Sequence, residues 1–420
     1  MILHIDIDCF FASAHRIDTK IYDDMPIAVG GRSNLNIFDK NKQKIELSKI
    51  DGAFSSSILS SNDKNFKEYF VDKNKKIRGI ITTSSYEARA YGVKTAMSVS
   101  EALRFCPDLI VLPPNYPLYH KLSYELKEFL KTQIPTIEQF SIDEFFGDVR
   151  GYINEQDIVS FATKLQKDIK KIIKIPVSIG ICEAKWIAKL ATNTAKPYGI
   201  KYVKKEDIEK YISNIKVEKF PGIGKGYQKK LAKLNIKYLI DIKKHKKEFF
   251  SWGKYGVALY NRVLGLDDEK ISIEQTDKKS IGIGRTFDAI LDTDELKRRL
   301  LVLCRHISFL CFKQNLKPHS YHLSIRYEYG QKKKNYINID EKFSERLFKS
   351  EIIKLFSSIH TNTNQAIIQL NITATNFKDE NKNKTLFDIN SKDNKNMIDK
   401  TTNSIREKYG IDIIKTANEL

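Results

Sequence analysis

The first half of the chain alternates between two hydrophobic periods, one of two residues and one of three to four. Short runs with the two-residue period are typical of strands, and the longer runs between them are typical of helices. The predicted strands are Met1–Asp8, Pro26–Gly31, Leu109–Pro114 and Val177–Ile181, and Arg78–Arg89 is predicted as a strand that continues into a helix. The predicted helices are Tyr116–Lys131, Ile158–Ile173 and Ala184–Ala195. This alternation, which continues to about residue 203, predicts an α/β or α+β sheet domain.

The pattern changes after residue 203. Glu206–Leu266 is helical in period and rich in lysine, and Asp267–Lys279 is charged and poor in apolar residues, which predicts a tether. From Ser280 to Asn376 the strand period dominates and indicates a small α+β domain. The helices predicted in this last part of the chain are Thr293–Lys313, Glu345–Phe356 and, after a polar stretch, Met397–Tyr409.

Length and composition set the bounds of the prediction. A chain of 420 residues is too long for one compact core, so we expect two to four domains. The sequence contains neither an apolar run of about 18 residues nor a secretory signal, so we expect no membrane span and a cytoplasmic location. The five cysteines are scattered without C-x-x-C spacing and are interpreted as reduced thiols.

The charge balance changes the picture more than the composition does. The formal net charge is +20 and the sequence pI is about 9.4, which favours a polyanionic partner, and nucleic acid before a membrane surface. The alternative is a compositional bias, because the chain is rich in Lys, Asn and Ile throughout.

Two neighbouring acids lie in the segment Ile137–Asp148. Apolar β-type runs flank Asp143 and Glu144, so the segment is predicted to be a hairpin with both acids near its tip. In a regular strand, neighbouring side chains point to opposite faces, and only a turn or bulge lets two adjacent carboxylates share one site.

The first strand offers a further carboxylate. Strict alternation places His4, Asp6 and Asp8 on one face and apolar residues on the other. Carboxylates gathered at strand ends are best neutralised by a hard divalent cation. The alternative interpretation is a solvated edge strand plus an acidic turn, and the pattern alone leaves both open.

A glycine turn interrupts the lysine-rich helical region. Gly222, Ile223, Gly224 and Lys225 follow a proline, and the two glycines can expose backbone N–H groups at a helix start, which suits an anion. The motif resembles the helix-hairpin-helix module, which grips phosphates without reading bases. An ordinary glycine turn between helices is the alternative.

Several distinctive motifs follow one another along the chain. They are Leu3-His-Ile-Asp-Ile-Asp-Cys-Phe-Phe-Ala12, Tyr86-Glu-Ala-Arg-Ala-Tyr-Gly-Val-Lys94, Ser141-Ile-Asp-Glu144, Ala195-Lys-Pro197, Pro221-Gly-Ile-Gly-Lys225 and Lys279-Ser-Ile-Gly-Ile-Gly-Arg-Thr-Phe287. These motifs and their order resemble those of Y-family translesion DNA polymerases. The resemblance spans Met1 to about Thr375 and is to the bacterial polymerase IV or polymerase V catalytic subunit type, without separating the two.

The resemblance implies a multi-domain α+β fold of the right-hand polymerase type. It has a palm with an antiparallel or mixed sheet, small fingers, a helical thumb with the helix-hairpin-helix and an α+β little finger. The implied bounds are 1–10 and 115–203 for the palm, 11–114 for the fingers with an insertion at about 33–77, 204–268 for the thumb, 269–279 for a linker, 280–377 for the little finger and 378–420 for a tail with a short helix.

The resemblance also implies the chemistry. Two Mg²⁺ ions would assist attack of a primer 3′-hydroxyl on the α-phosphate of a deoxynucleoside triphosphate. The matching metal ligands are Asp6, the main-chain carbonyl of Ile7, Asp143 and Glu144, of which the three acids are catalytic. The matching nucleotide-binding residues are Phe10 (through its amide), Phe11 as the steric gate against ribose, Thr83, Tyr86, Arg89 and Lys196. The matching DNA-binding residues are Gly222, Ile223, Gly224 and Lys225.

The implied partners are primer-template DNA, a deoxynucleoside triphosphate and a sliding clamp, and the chain is expected to be a monomer. The clamp would bind Asn383–Phe387, which lacks the leading glutamine and first leucine of the family's clamp peptide. Further departures are His15 for a glutamate, Asn193 for an aspartate and Gly284 for a glutamate.

Two other functions stay open at this point. The first is a catalytically silent relative that acts as a DNA-binding scaffold, against which the presence of all three acids argues. The second is a palm-type nucleotidyl cyclase, which needs no grip on a duplex. The resemblance implies low fidelity and bypass of damaged templates, whereas the preferred lesion, the degree of fidelity and any accessory subunits are not predicted.

Overall fold

The structure is a computed structural model that describes residues 1–33, 35–38, 66–72, 74–272, 278–377 and 394–420. The chain forms two compact units. Met1–Gly31 and Lys64–Gln275 make the first unit, and Arg32–Asp63 and Thr276–Leu420 make the second. The chain therefore passes from one unit to the other at residues 31/32, 63/64 and 275/276. Among the described residues, none of the helices is both long and apolar enough to cross a membrane.

The first unit contains two sheets and the helices that cover them. Its strands are β1 (Ile2–Ile7), β2 (Ile27–Gly31), β3 (Ile80–Ser84), β4 (Ile110–Leu112), β5 (Thr136–Gln139), β6 (Glu144–Asp148), β7 (Val177–Cys182) and β8 (Ile200–Tyr202). Its helices are α1 (Phe10–Asp18), α2 (Phe66–Phe70), α3 (Tyr86–Ala90), α4 (Val99–Phe105), α5 (Tyr116–Gln133), α6 (Ile158–Ile172), α7 (Lys185–Ala195), α8 (Ile208–Ile212), α9 (Lys225–Lys233), α10 (Lys246–Ser251) and α11 (Lys254–Val263).

The larger sheet has the order β5-β6-β1-β7-β8, so β1 lies at its centre, antiparallel to β6 and β7. Every residue of β1 is buried. Leu3, Ile5 and Ile7 pack in one cluster with α5 and α6. On the opposite face, His4 bonds to Thr192 of α7. The alternation in the sequence thus matches two faces that are both covered by helices, rather than the solvated edge strand of the alternative interpretation.

Helix α7 lies unusually close to β7, because the strand carries Gly180 at the crossing. A Cβ built at Gly180 would lie 2.0 Å from the Ala188 carbonyl oxygen and 2.4 Å from the Thr192 amide nitrogen. Only glycine permits this approach. It places the lysines of α7 over the end of the sheet that carries the acids.

The smaller sheet, β3-β2-β4, pairs β2 antiparallel to β3 and parallel to β4. The Ser85 hydroxyl caps α3 by accepting from the Ala88 amide, and the Ser98 hydroxyl caps α4 by accepting from the Glu101 amide. Helices α8–α11 pack in one further apolar cluster, which includes Trp186 of α7.

The second unit is a sheet with helices on one face. Its elements are β9 (Ser280–Ile290), α12 (Thr293–Lys313), β10 (Pro318–Tyr327), β11 (Lys332–Asn338), α13 (Glu345–Ile359), β12 (Ile367–Phe377) and α14 (Asn394–Tyr409). The strand order is β11-β10-β12-β9, antiparallel throughout. Alternate residues of β9 are buried, as expected for a sheet with one covered face. Helix α14 begins three residues before its predicted start at Met397.

Most of the segment expected as an insertion in the fingers (about 33–77) lies outside the described residues. Within this segment, Phe66–Phe70 forms α2. The described residues of this segment up to Phe38 group with the second unit, which the sequence did not predict. The implied palm, fingers, thumb and little-finger bounds stay predictions.

Candidate active site

Strand pairing brings the three predicted catalytic acids to one end of the larger sheet. Asp6 near the end of β1 is the direct cross-strand partner of Glu144, the first residue of β6. The Ile7 amide donates to the Asp143 carbonyl oxygen at 3.0 Å, which continues the ladder past the strand. The turn of the β5–β6 hairpin holds Asp143, so this turn lets adjacent acids serve one site.

The three acids are crowded, and Asp6 is shielded from water whereas Asp143 and Glu144 are partly exposed. Asp6 is only 4% exposed. Burial raises the pKa of Asp6 to about 7; the nearby Lys196 works against the rise, whereas the Glu144 and Asp143 charges add to it. Burial also raises the pKa of Asp143, with a hydrogen bond from the Ser141 hydroxyl acting in the opposite direction. Such a concentration of carboxylates requires a positive countercharge.

Two lysines associated with α7 supply that countercharge in this structure. Lys196, directly after α7, is ion-paired with Asp6, and Lys189, within α7, is ion-paired with Glu144. The Lys189 ammonium also lies 4.9 Å from the centre of the Phe140 ring. Among the described residues, no group of three or more His, Cys, Asp or Glu side chains has the arrangement that would hold a metal ion. The carboxylate and carbonyl oxygens are nevertheless the donors that Mg²⁺ prefers, and the lysines mark where positive charge is needed.

Asp8 has a different role from Asp6. Its carboxylate accepts from the Ser178 hydroxyl at 2.9 and 3.0 Å, from the Tyr198 amide at 2.8 Å and from the Tyr86 hydroxyl at 3.2 Å. These bonds occupy the carboxylate and tie β1 to β7, to the turn after α7 and to α3. Asp8 therefore positions other groups.

His4 lies deeper in the same face of the sheet. Its Nδ1 lies 2.8 Å from the Thr192 hydroxyl, and its Nε2 lies 3.5 Å from the Lys189 ammonium. Burial lowers the pKa of His4 well below its usual value, and the charges of Lys189 and Lys196 lower it further. A neutral, hydrogen-bonded imidazole is a packed structural group at this position.

The predicted phosphate-binding side chains lie on three elements of the first unit. Tyr86 is the first residue of α3, and the Arg89 guanidinium lies over its ring at 4.9 Å. Thr83 lies in β3 opposite Val29. Lys196, paired with Asp6, is beside the acids, and Tyr86 is linked to the same region through Asp8.

Helix α1 starts directly after the acids. Cys9, at φ 45°, turns the chain from β1 into the helix, so Phe10 and Phe11 form its first turn. Phe10 is buried. The Phe11 ring stacks on Tyr119 of α5, with the ring centres 4.3 Å apart and the planes 16° from parallel. This stacking fixes the orientation of the ring at the predicted steric-gate position.

The glycine turn has the geometry of an anion-binding helix start. Gly222 adopts a left-handed conformation at φ +95°, Gly224 is the N-cap of α9, and the exposed Lys225 opens the helix. Ile223 points inward and is buried. A Cβ built at either glycine would meet nothing within 4 Å, so the turn is open on its outer side.

Sequence reasoning did not assign a role to Lys189 or to Ser178. The signal for Lys189 was present, because Lys185 and Lys189 interrupt the apolar face of α7 at helical spacing, and both are buried. Buried lysines require acidic partners, which are Glu138 and Glu144 respectively. Ser178 carried no such signal within a strand of small and β-branched residues.

Solved structures with the same fold define the class of protein. A Y-family DNA polymerase chimera superposes with a TM-score of 0.69 at 20% identity, covering 90% of this chain and 98% of the other. An insertion ternary complex of Dbh DNA polymerase gives a TM-score of 0.54 with the same coverage. The predicted multi-domain α+β fold of the right-hand polymerase type is thereby confirmed.

Sequence relationships then identify the family. The impB/mucB/samB family profile matches residues 5–193, and the profile of its C-terminal domain matches residues 278–386. DNA polymerase IV of Alkaliphilus oremlandii is 32% identical over 355 residues, 81% of this chain and 89% of the relative. DNA polymerase IV of Oceanobacillus iheyensis is 29% identical over 434 residues, 100% of this chain and 92% of the relative. The chain belongs to the Y-family of translesion DNA polymerases and is a DNA-directed DNA polymerase.

Proposed function

We propose that the chain extends a primer on a DNA template by nucleotidyl transfer assisted by two Mg²⁺ ions. The observation that carries the proposal is the cross-strand pairing of Asp6 with Glu144, with Asp143 beside them at the hairpin turn. These acids and the Ile7 carbonyl would hold the ions. When bound, the ions would neutralise charge on the attacking and leaving oxygens of the transferred phosphate.

The surrounding side chains position the nucleotide. Lys196 leaves Asp6 to neutralise the triphosphate as a point charge, and Arg89 offers a planar fork for two phosphate oxygens. Thr83 donates to the same phosphates, the Tyr86 hydroxyl leaves Asp8 to do so as well, and the amide of Phe10 lies at the start of α1. The experiment that tests the proposal is primer extension on a defined template with Mg²⁺, and a purified chain that never lengthens a primer would contradict it.

Low fidelity and damage bypass complete the proposed activity. Extension past an abasic site or a bulky adduct distinguishes bypass from ordinary synthesis, and it also compares the polymerase IV-like and polymerase V-like alternatives. A silent DNA-binding scaffold would bind the primer-template without extending it, and a nucleotidyl cyclase would convert the triphosphate without a template. The proposed clamp peptide, Asn383–Phe387, lies outside the described residues.

Phe11→Ala is expected to raise ribonucleotide incorporation. The ring at this position is held by its stacking on Tyr119, and its edge would collide with a 2′-hydroxyl. Removing the ring removes that collision, so the ratio of ribonucleotide to deoxynucleotide incorporation should rise about 100-fold, as for a discrimination of roughly 3 kcal/mol. Single-nucleotide insertion with each triphosphate measures the ratio.

The control for this prediction is Phe105→Ala in α4, which removes another partly exposed phenylalanine from the first unit. Its incorporation ratio should equal that of the unchanged protein. An unchanged ratio in Phe11→Ala would refute the steric-gate assignment.

Lys225→Ala is expected to weaken binding of primer-template DNA and to reduce its salt dependence. Lys225 opens α9 beside the open side of the glycine turn, where a backbone phosphate would bind. Loss of one phosphate contact should lower the slope of log K against log salt by about 1. Fluorescence anisotropy over a salt series measures the slope. Lys131→Ala, an exposed lysine of α5 paired with Glu128, should leave the slope unchanged, and equal effects of both substitutions would remove the proposed phosphate contact.

A further inference from the structure

A short segment that follows β2 along the chain packs into the second unit. The 3₁₀ turn Leu35–Phe38 belongs to this unit, although β2 belongs to the first. Ile37 is 1% exposed and Phe38 is 4% exposed, and both are members of the unit's main apolar cluster. Complete burial of two large side chains is typical of a built docking site and not of an incidental surface contact.

The site that receives Phe38 is made by β9 and α12. The Phe38 ring meets the Phe287 ring edge-on, with the ring centres 6.3 Å apart. The Arg299 guanidinium lies 4.7 Å from the centres of both rings. Arg298 donates to the Phe38 carbonyl oxygen at 2.9 Å, so the backbone of the segment is held as well as its side chain.

The two arginines are themselves held in place. Glu295, one turn before them on α12, accepts from both at 2.6 Å. Burial works to raise the pKa of Glu295, but the hydrogen bonds from Arg298 and Arg299 lower it to about 2. Because Glu295 already orients both arginines, their side chains lose little conformational freedom when they contact Phe38.

The stretch of chain that joins β2 to Ile37 is shorter than the stretch that joins the first unit to β9. Ile37 is six residues from Gly31, the last residue of β2, which allows a span of roughly 20 Å. Ile271 is buried among the helices of the first unit and is nine residues from Ser280, the first residue of β9, which allows roughly 30 Å.

We propose that Ile37 and Phe38 form an intramolecular docking peptide that keeps the second unit attached to the first independently of the linker around residues 273–277. The occupant of the groove between β9 and α12 is this segment of the same chain. In the intact chain the segment has a high effective concentration at this groove, because short stretches of chain join the segment to β2 and the first unit to β9. The proposal gives the inserted segment a role that does not depend on the proposed catalytic activity.

The test uses the full-length chain with a specific protease site in place of residues 273–277. Cleavage separates residues 278–420 from the first unit, while the docking peptide stays covalently attached to β2. The two fragments are expected to co-elute in size-exclusion chromatography over a dilution series. Phe38→Ala should raise the dissociation constant of the fragments by about 100-fold, in line with the loss of a buried phenylalanine.

Leu355→Ala is the matched control, because it removes a buried side chain from the same apolar cluster without changing the docking peptide. Its fragments should stay associated as in the unchanged protein. The proposal is overturned if the unchanged fragments separate on cleavage, or if the Phe38→Ala fragments stay fully associated. It is equally overturned if Leu355→Ala separates them as strongly as Phe38→Ala does.

Discussion

Asp6→Asn is expected to lower the rate of primer extension by about 10³-fold or more, on the scale of removing one main electrostatic contact to a phosphoryl transition state. The substitution keeps the size of the side chain and removes its charge. Asp6 lies near the end of β1, the central strand of the larger sheet, directly across from Glu144 and ion-paired with Lys196. An amide in this place leaves Lys196 without its carboxylate and removes the charge that would hold a divalent cation.

The matched control for Asp6→Asn lies on the same strand pair. Asp148 is the last residue of β6, pairs across from Ile2 at the other end of β1, and is bound by Arg150. Asp148→Asn should change the extension rate by less than about twofold, because a surface ion pair contributes little to the fold. Rapid-quench primer extension gives both rates. Anisotropy with primer-template DNA gives a second readout, in which Asp6→Asn should still bind.

Each outcome of this comparison distinguishes between the proposed functions. Loss of extension with retained DNA binding is the result expected of a polymerase whose acids hold metal ions. Equal extension by Asp6→Asn and the unchanged protein would contradict the assignment of Asp6. Absence of extension in the unchanged protein, together with tight DNA binding, would favour the silent scaffold.

The acids could be predicted from the sequence because local patterns carry them. Alternation in β1 places Asp6 on a defined face, and the flanking apolar runs around Asp143 and Glu144 predict a hairpin. Pairing of β1 with β6 follows no local rule, since strands far apart in the chain choose each other through the whole packed core. The family motifs supplied that information, and the register of Asp6 opposite Glu144 agrees with it.

Contacts between residues far apart in the chain could not be predicted from the sequence. Lys189 and Glu144 are 45 residues apart, and neither has a local pattern that names the other. The same is true of Phe38, which joins a core built more than 200 residues later. Residues 378–420 were expected only as a tail with a short helix, yet Arg406 and Glu419 at its end are buried against α12 and α13. Such pairs appear in a sequence as ordinary surface charges.

Glu345→Gln is expected to lower the free energy of unfolding by about 3–5 kcal/mol, the usual cost of removing one partner of a buried ion pair. Glu345 begins α13 and accepts from the Lys349 ammonium at 2.6 Å and from Arg406 of α14 at 2.5 Å. Glu419 binds Lys349 at 2.6 Å and Arg305 of α12 at 2.6 Å, and Asp412 also pairs with Arg305. Lys349 and Arg406 both lose the Glu345 carboxylate, so the substitution leaves buried positive charge with less compensation.

Lowering the pH should remove the difference in the free energy of unfolding between Glu345→Gln and the unchanged protein. Burial works to raise the pKa of Glu345, but the hydrogen bond from Arg406 and the charges of Lys349 and Arg406 hold it below the ordinary value of 4.5. A carboxylate with a lowered pKa in the folded state stabilises the fold above its unfolded pKa. That contribution is lost as the pH falls from about 4.5 through the lower folded value. The glutamine variant lacks this titration, so the two stabilities should converge on acidification.

Denaturant unfolding of the full-length chain measures the loss of stability in Glu345→Gln, and the first unit serves as an internal reference. Both tryptophans, Trp186 and Trp252, lie in the first unit, so their fluorescence follows that unit, whereas circular dichroism follows the whole chain. Glu345→Gln should shift the dichroism transition and leave the fluorescence transition in place. Lys297→Ala in α12 removes an ion pair with the exposed Asp294, and it should cost less than about 1 kcal/mol. Equal losses for both substitutions would mean that the cluster contributes no more than a surface pair, and that α14 is held by its apolar contacts.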